Sequence, residues 1–114
     1  MKRILLALAM ALLACAPASA IPANWQPVSI GQQTFAAGSL ATAQALTIPA
    51  GGAIEAFIVC EGQNVRWRDD GVDPTASVGT LLLPSQPFPY IANLPRLKLI
   101  EATSGASCTV TYYK

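Results

Sequence analysis

A chain of 114 residues that is 53% hydrophobic and only 11% charged has material for one small core. Its formal net charge of +1 is too small to hold a polyanion by bulk attraction, which argues against nucleic-acid binding. It contains no histidine, so the commonest acid–base residue and metal ligand is missing.

The chain begins with the basic triplet Met1-Lys2-Arg3. An apolar run from Ile4 to Ala16 follows, and then the small-x-small triplet Ala18-Ser19-Ala20. Residues 1–20 read as a secretory signal peptide, since the run is short for a bilayer span and Pro17 ends it. Cleavage after Ala20 leaves five basic residues (Arg66, Arg68, Arg96, Lys98, Lys114) against six acidic ones (Glu55, Glu61, Asp69, Asp70, Asp73, Glu101). A surface so poor in charge and rich in Ser, Thr, Gln and Asn suits contact with other protein better than high solubility. Leu12-Leu13-Ala14-Cys15 offers a competing reading as a lipobox, with Cys15 lipidated and the chain tethered to an outer membrane. Both readings place the protein outside the cytosol, with no transmembrane segment in the mature chain.

Residues 21–44 read as a polar entry segment, with Pro22 and Pro27 and the anchors Trp25, Val28 and Ile30. The Ala-rich stretch from Ala36 to Leu46 is the one helix candidate, weakened by Gly38 and Thr42. From Ala45 onward, residues 45–114 are punctuated as an all-β core. Ala45 to Ile48 is a short apolar run ended by Pro49-Ala50-Gly51-Gly52. Ala53 to Glu61 alternates: Ile54, Ala56, Ile58 and Cys60 point one way, and Glu55, Phe57, Val59 and Glu61 the other. Asn64 to Asp69 alternates again, with Val65 and Trp67 on one face and Arg66 and Arg68 on the other. Asp70-Gly71 and Asp73-Pro74 are turn chemistry. Strands are expected over Ser77 to Leu83, Tyr90 to Ala92, Leu97 to Ala102 and Ser107 to Tyr113, with Ser104-Gly105 joining the last two as a hairpin. Pro84, Pro87 and Pro89 confine their segment to an edge or a loop. The fold class is therefore all-β: a single small β-sandwich or jelly-roll-like domain of about seven to eight short antiparallel strands.

Cys60 and Cys108 remain after processing and are expected to form a disulfide, the alternative being two buried free thiols. The bridge would staple an early strand to the last one, within a sheet or between sheets. It closes a loop of about 49 residues, worth on the order of 4 kcal/mol in the chain-entropy view.

The block Gln63-Asn64-Val65-Arg66-Trp67-Arg68-Asp69-Asp70-Gly71, followed by Asp73-Pro74-Thr75-Ala76-Ser77-Val78-Gly79, resembles small phage and prophage proteins of the virion-structural, head-decoration kind. The likeness extends upstream over Ala45 to Gly51 and downstream over Leu99 to Ala102 and Val110 to Tyr113. The resemblance implies a β-sandwich that packs on or decorates an assembly without catalysis. The chain departs from such proteins in its leader and in its cysteines at 60 and 108.

Candidate contact residues are Arg66, Trp67 and Arg68, because Arg and Trp dominate interfaces, together with Tyr113, since Tyr112 and Tyr113 face opposite ways. The competing account buries Trp67 and pairs the arginines with Glu55, Glu61 or Asp70. Asp69, Asp70 and Asp73 around Gly71 have oxygen ligands for Ca²⁺, but turn formation explains the same residues and the spacing is no EF-hand. Pro84-Ser85-Gln86-Pro87 matches a P-x-x-P ligand and also suits an edge that resists pairing. No nucleophile elbow, P-loop or Cys-x-x-Cys is present, so neither catalysis nor a cofactor is expected. The function expected is that of an exported structural or interaction protein that self-associates or docks on a larger assembly. The alternative is a periplasmic or lipid-anchored binding module for a glycan or protein ligand.

Overall fold

The structure, a computed structural model, describes residues 26–114. The expected leader at 1–20, the lipidation candidate Cys15 and the anchor Trp25 lie outside the described residues. Eight strands follow one another: β1 (Ser29–Phe35), β2 (Gln44–Ala45), β3 (Glu55–Glu61), β4 (Val65–Arg68), β5 (Thr80–Leu82), β6 (Phe88–Tyr90), β7 (Lys98–Glu101) and β8 (Ser107–Tyr113). Single 3-10 turns sit at Ser39–Ala41 and Leu94–Arg96. Among the described residues, no helix is long and apolar enough to cross a membrane.

The strands form two four-stranded antiparallel sheets, with orders β1-β8-β3-β6 (sheet A) and β2-β7-β4-β5 (sheet B). This is jelly-roll connectivity, in which the chain switches sheets at almost every step. Only β4 and β5 are consecutive in sequence and paired in the same sheet. The expected hairpin at Ser104-Gly105 is therefore a crossover: β7 belongs to sheet B and β8 to sheet A. The turn residues are real, but they carry the chain across the sandwich rather than back along one sheet.

The period-2 pattern places the core. Ala56, Ile58 and Cys60 of β3 and Cys108, Val110 and Tyr112 of β8 point inward, and their neighbours are half-buried or exposed on the outer face. Val65, Leu82 and Leu99 fill the facing side from sheet B. Cys60 lies directly opposite Cys108 and is bonded to it, so the disulfide joins neighbouring strands inside sheet A rather than the two sheets. Both sulfur-bearing residues are buried.

Three segments differ from the pattern read in the sequence. Residues 29–35, within the stretch read as an entry segment, pair with β8 along its free side. Their polar sequence hides the strand because an edge strand with one wet face needs few apolar residues. The Ala-rich stretch 36–46 holds one 3-10 turn that buries Leu40 and the two-residue β2, not an α-helix. The strand expected over 77–83 shortens to Thr80–Leu82, because the residues before it belong to a loop folded over sheet B. Pro89 does lie in an edge strand, as the proline cluster requires.

Candidate functional site

The two outer faces of the sandwich differ in how far their polar side chains are committed. On sheet B, Arg66 and Arg68 point outward from β4, as the alternation with Val65 and Trp67 demands. Residues 69–79 cross this face as a strap. Arg66 holds it by donating from Nε to the Ala76 carbonyl at 3.1 Å and from Nη1 to the Gly79 carbonyl at 2.9 Å. Arg68 is forked onto the Asp70 carboxylate, and Lys98 of β7 reaches Asp73. Gly79, at φ +136°, lets the strap return against β4: an added Cβ would lie 3.1 Å from the Trp67 carbonyl oxygen. The hydrogen bond from Arg68 holds the Asp70 carboxyl down at about 2, and the same bond raises the Arg68 guanidinium.

The arginines thus have tasks within the chain. Of the carboxylates offered to them by the sequence, only Asp70 is used. Glu55 and Glu61 stand on the other sheet, and Arg66 takes backbone carbonyls instead. Asp70 and Asp73 are neutralised by cations and form no ligand cage. Among the described residues, no group of three or more His, Cys, Asp or Glu side chains is placed to hold a metal ion.

Trp67 turns inward and closes one side of the sandwich. Its ring lies 5.0 Å from Phe88 and 6.0 Å from Tyr90 between centroids, so sheet B meets the β6 edge of sheet A through three aromatics. The Tyr90 hydroxyl donates to Asp69 at 2.7 Å and accepts from the Asn93 amide at 2.9 Å. Burial, reinforced by that carboxylate, pushes the Tyr90 phenol up to about 12. On the opposite side, the Tyr112 hydroxyl donates to the Gln33 side-chain oxygen at 2.6 Å, and the Thr47 amide donates to the same atom at 2.9 Å. Burial pushes the Tyr112 phenol up to about 12 as well. A cleft of about 360 Å³ opens beside the strap root, lined by Trp67, Arg68, Asp69, Asp70, Val78, Gly79 and Thr80. Its charged groups are spent on each other or on Tyr90.

Sheet A presents the opposite case. Register places Gln32, Thr111, Phe57 and Pro89 side by side across its outer face, with Thr34, Thr109 and Val59 forming the next row and Tyr113 beside Glu55 at the end. The strands β1, β3, β6 and β8 contain no lysine or arginine, only the acids Glu55 and Glu61. Among the described residues, no side-chain hydrogen bond or ion pair engages Gln32, Thr34, Glu55, Thr109, Thr111 or Tyr113. Pro27, Glu55, Phe57 and Tyr113 line an open cleft of about 290 Å³ at this end. Of the four contact residues singled out from sequence, Tyr113 alone lies here. Phe57 and Glu55 were readable as outward-facing on β3, but their convergence with Tyr113 depends on pairing between β3 and β8, which no local pattern reveals.

No family model, no curated protein and no solved structure matches this chain.

Proposed function

We propose that this protein is an exported, non-enzymatic interaction module that holds a larger partner through the outer face of sheet A. The observation that carries this reading is the contrast between the faces: sheet B spends its cations on its own strap, while sheet A leaves hydroxyl, amide, carboxylate and aromatic groups uncommitted. Acid–base chemistry finds little purchase in such a chain. Histidine is absent, Asp70 and Asp73 are ion-paired, and Asp69 accepts from Tyr90. The disulfide across sheet A supports a destination outside the reducing cytosol. A virion surface is one such larger partner, proposed on the resemblance alone, and flanking capsid and tail genes would be its test.

The function is tested by sedimenting the protein with whole cells and envelope fragments of its producing organism. Thr111→Lys places a charge in the middle of sheet A, and Arg68→Ala alters only the strap side. Loss of sedimentation in Thr111→Lys alone supports the reading. Equal behaviour of the native protein and both variants overturns it.

A further inference from the structure

We infer that the partner bound by sheet A is a neutral polysaccharide, and that Phe57, Tyr113 and Glu55 form the subsite that grips one sugar ring. This rests on the interaction reading above and adds the chemistry of the ligand. Three observations converge on it.

The first is the composition of the cleft. Phe57 and Tyr113 are both outward-facing on adjacent antiparallel strands. Glu55 pairs with Tyr113 and Phe57 with Thr111, so the two rings are diagonal neighbours within reach of one ligand. They share their cleft with Pro27 and the Glu55 carboxylate. A pyranose has a face of C–H bonds and a rim of hydroxyls. The aromatic rings offer a flat apolar surface to the first, and the carboxylate accepts from the second.

The second is what extends from the cleft. A polymer needs further contacts along a line, and the sheet supplies them in register. Thr111 and Gln32 adjoin Phe57, and Thr109 and Thr34 form the next row. The three threonines are stiff at χ1, and Thr109 and Thr111 are also half-buried, so they lose little rotamer freedom on binding. The 290 Å³ cleft is open to solvent, so a chain can lie in it without being enclosed.

The third is charge. Sheet A carries two acids and no base. Lys114, next to Tyr113, donates its ammonium to the Gly51 carbonyl at 3.0 Å. That bond leaves the Lys114 charge in place but turns it onto the 49–52 turn, so the two acids of the strands disfavour phosphate, sulfate and uronate polymers. A second copy of the chain is disfavoured because two sheet A faces in contact would bring Glu55 and Glu61 together with no lysine or arginine on either set of strands to offset them. A neutral, hydroxyl-rich polymer meets neither obstacle.

The experiment is affinity electrophoresis of the protein, expressed from its complete reading frame with its disulfide intact. The gels contain amylose, laminarin, xylan or galactomannan, with polygalacturonate and heparin as acidic counterparts. At least one neutral polymer is expected to retard the protein, and neither acidic polymer is. Loss of one aromatic contact in Tyr113→Ala or Phe57→Ala is expected to weaken retardation roughly tenfold, and Tyr113→Phe to restore most of it. Glu55→Gln keeps the shape and weakens it, while Arg68→Ala changes nothing. Near-ultraviolet circular dichroism identifies any variant that has lost its fold, and Glu55→Gln then carries the comparison, since it removes a charge and no volume. Absence of retardation in every neutral polymer overturns the inference, as does retardation that ignores both Tyr113→Ala and Glu55→Gln. If envelope sedimentation still depends on Thr111 when every polysaccharide fails, the glycan is wrong and the docking face stands. If sedimentation ignores Thr111 as well, both are wrong.

Discussion

Individual side chains close the two open flanks of the sandwich by different chemistry. On one flank the Tyr90 hydroxyl bridges Asp69 and the Asn93 amide, and on the other the Gln33 oxygen collects the Tyr112 hydroxyl and the Thr47 amide. Tyr90→Phe orphans both partners of a half-buried network and is expected to cost about 1–3 kcal/mol in denaturant unfolding. The phenols also make stability pH-dependent. Tyr90 and Tyr112 ionise at about 12 when folded, against an ordinary value of 10.0. Above pH 10 the unfolded chain loses these protons first, so their contribution is whole below that pH and disappears as the pH rises through 12. Unfolding midpoints should fall steeply across that window, and Tyr112→Phe should flatten the fall. The disulfide acts at the same scale. Replacing Cys60 and Cys108 by alanine is expected to remove about 2–5 kcal/mol, read as a shift of the denaturation midpoint. Because both cysteines are buried, mild reductant should leave the folded protein oxidised and reduce it only on unfolding.

Elements succeed or fail here by their connections. The crossover from β3 to β4 passes the crossover from β7 to β8 at Gly62, which sits at φ +83° with Gly105 against it. An added Cβ would lie 2.7 Å from the Gly105 carbonyl oxygen, so Gly62→Ala must move backbone and should destabilise well beyond about 1 kcal/mol. Gly38→Ala shares the left-handed backbone but meets nothing within 4 Å, and should cost only the conformational penalty of about 1 kcal/mol. The strap is the most separable element. Arg66→Ala removes both of its clamps on the strap carbonyls and should expose residues 69–79 to limited proteolysis while the core unfolds nearly as before. The depressed carboxyl of Asp70 keeps its bond to Arg68 until the pH falls through about 2, so acid alone should not release the strap at pH 4. Legibility in the sequence follows the same division. β3, β4 and β8 were visible because one face of each is apolar and the other is not, and Pro89 marked an edge. β1 was hidden by its polar composition, and β2 by having two residues. The turn at Ser104-Gly105 is legible but its hairpin does not form, since a turn residue fixes local φ and not the sheet its next strand joins. The same limit applied to function: Arg66 and Arg68 stood out as residue types, but only the folded strap shows that they are occupied.

At the scale of the molecule, the two sheets differ in how far their polar side chains are committed within the chain. Sheet B and its strap form a shell in which Arg66, Arg68 and Lys98 all bond within the chain, whereas sheet A has strands without a base and a covalent link between its two central strands. Its edges are managed by brevity and proline at β6 and by a register irregularity in β1 between Ser29 and Gly31. If the proposed docking holds, such a sheet binds without ordering itself first, which is where an extended and weak contact gains most.

The position of β8 has a consequence for how the molecule comes into being. Both β1 and β3 lean on β8, so until residues 107–113 are present β1 has no partner in its sheet and β3 has only the short β6. The disulfide, too, waits for β8, because Cys60 meets Cys108 only through the pairing of β3 with that strand. Truncation before Ser107 should therefore yield a product that never acquires a cooperative melting transition.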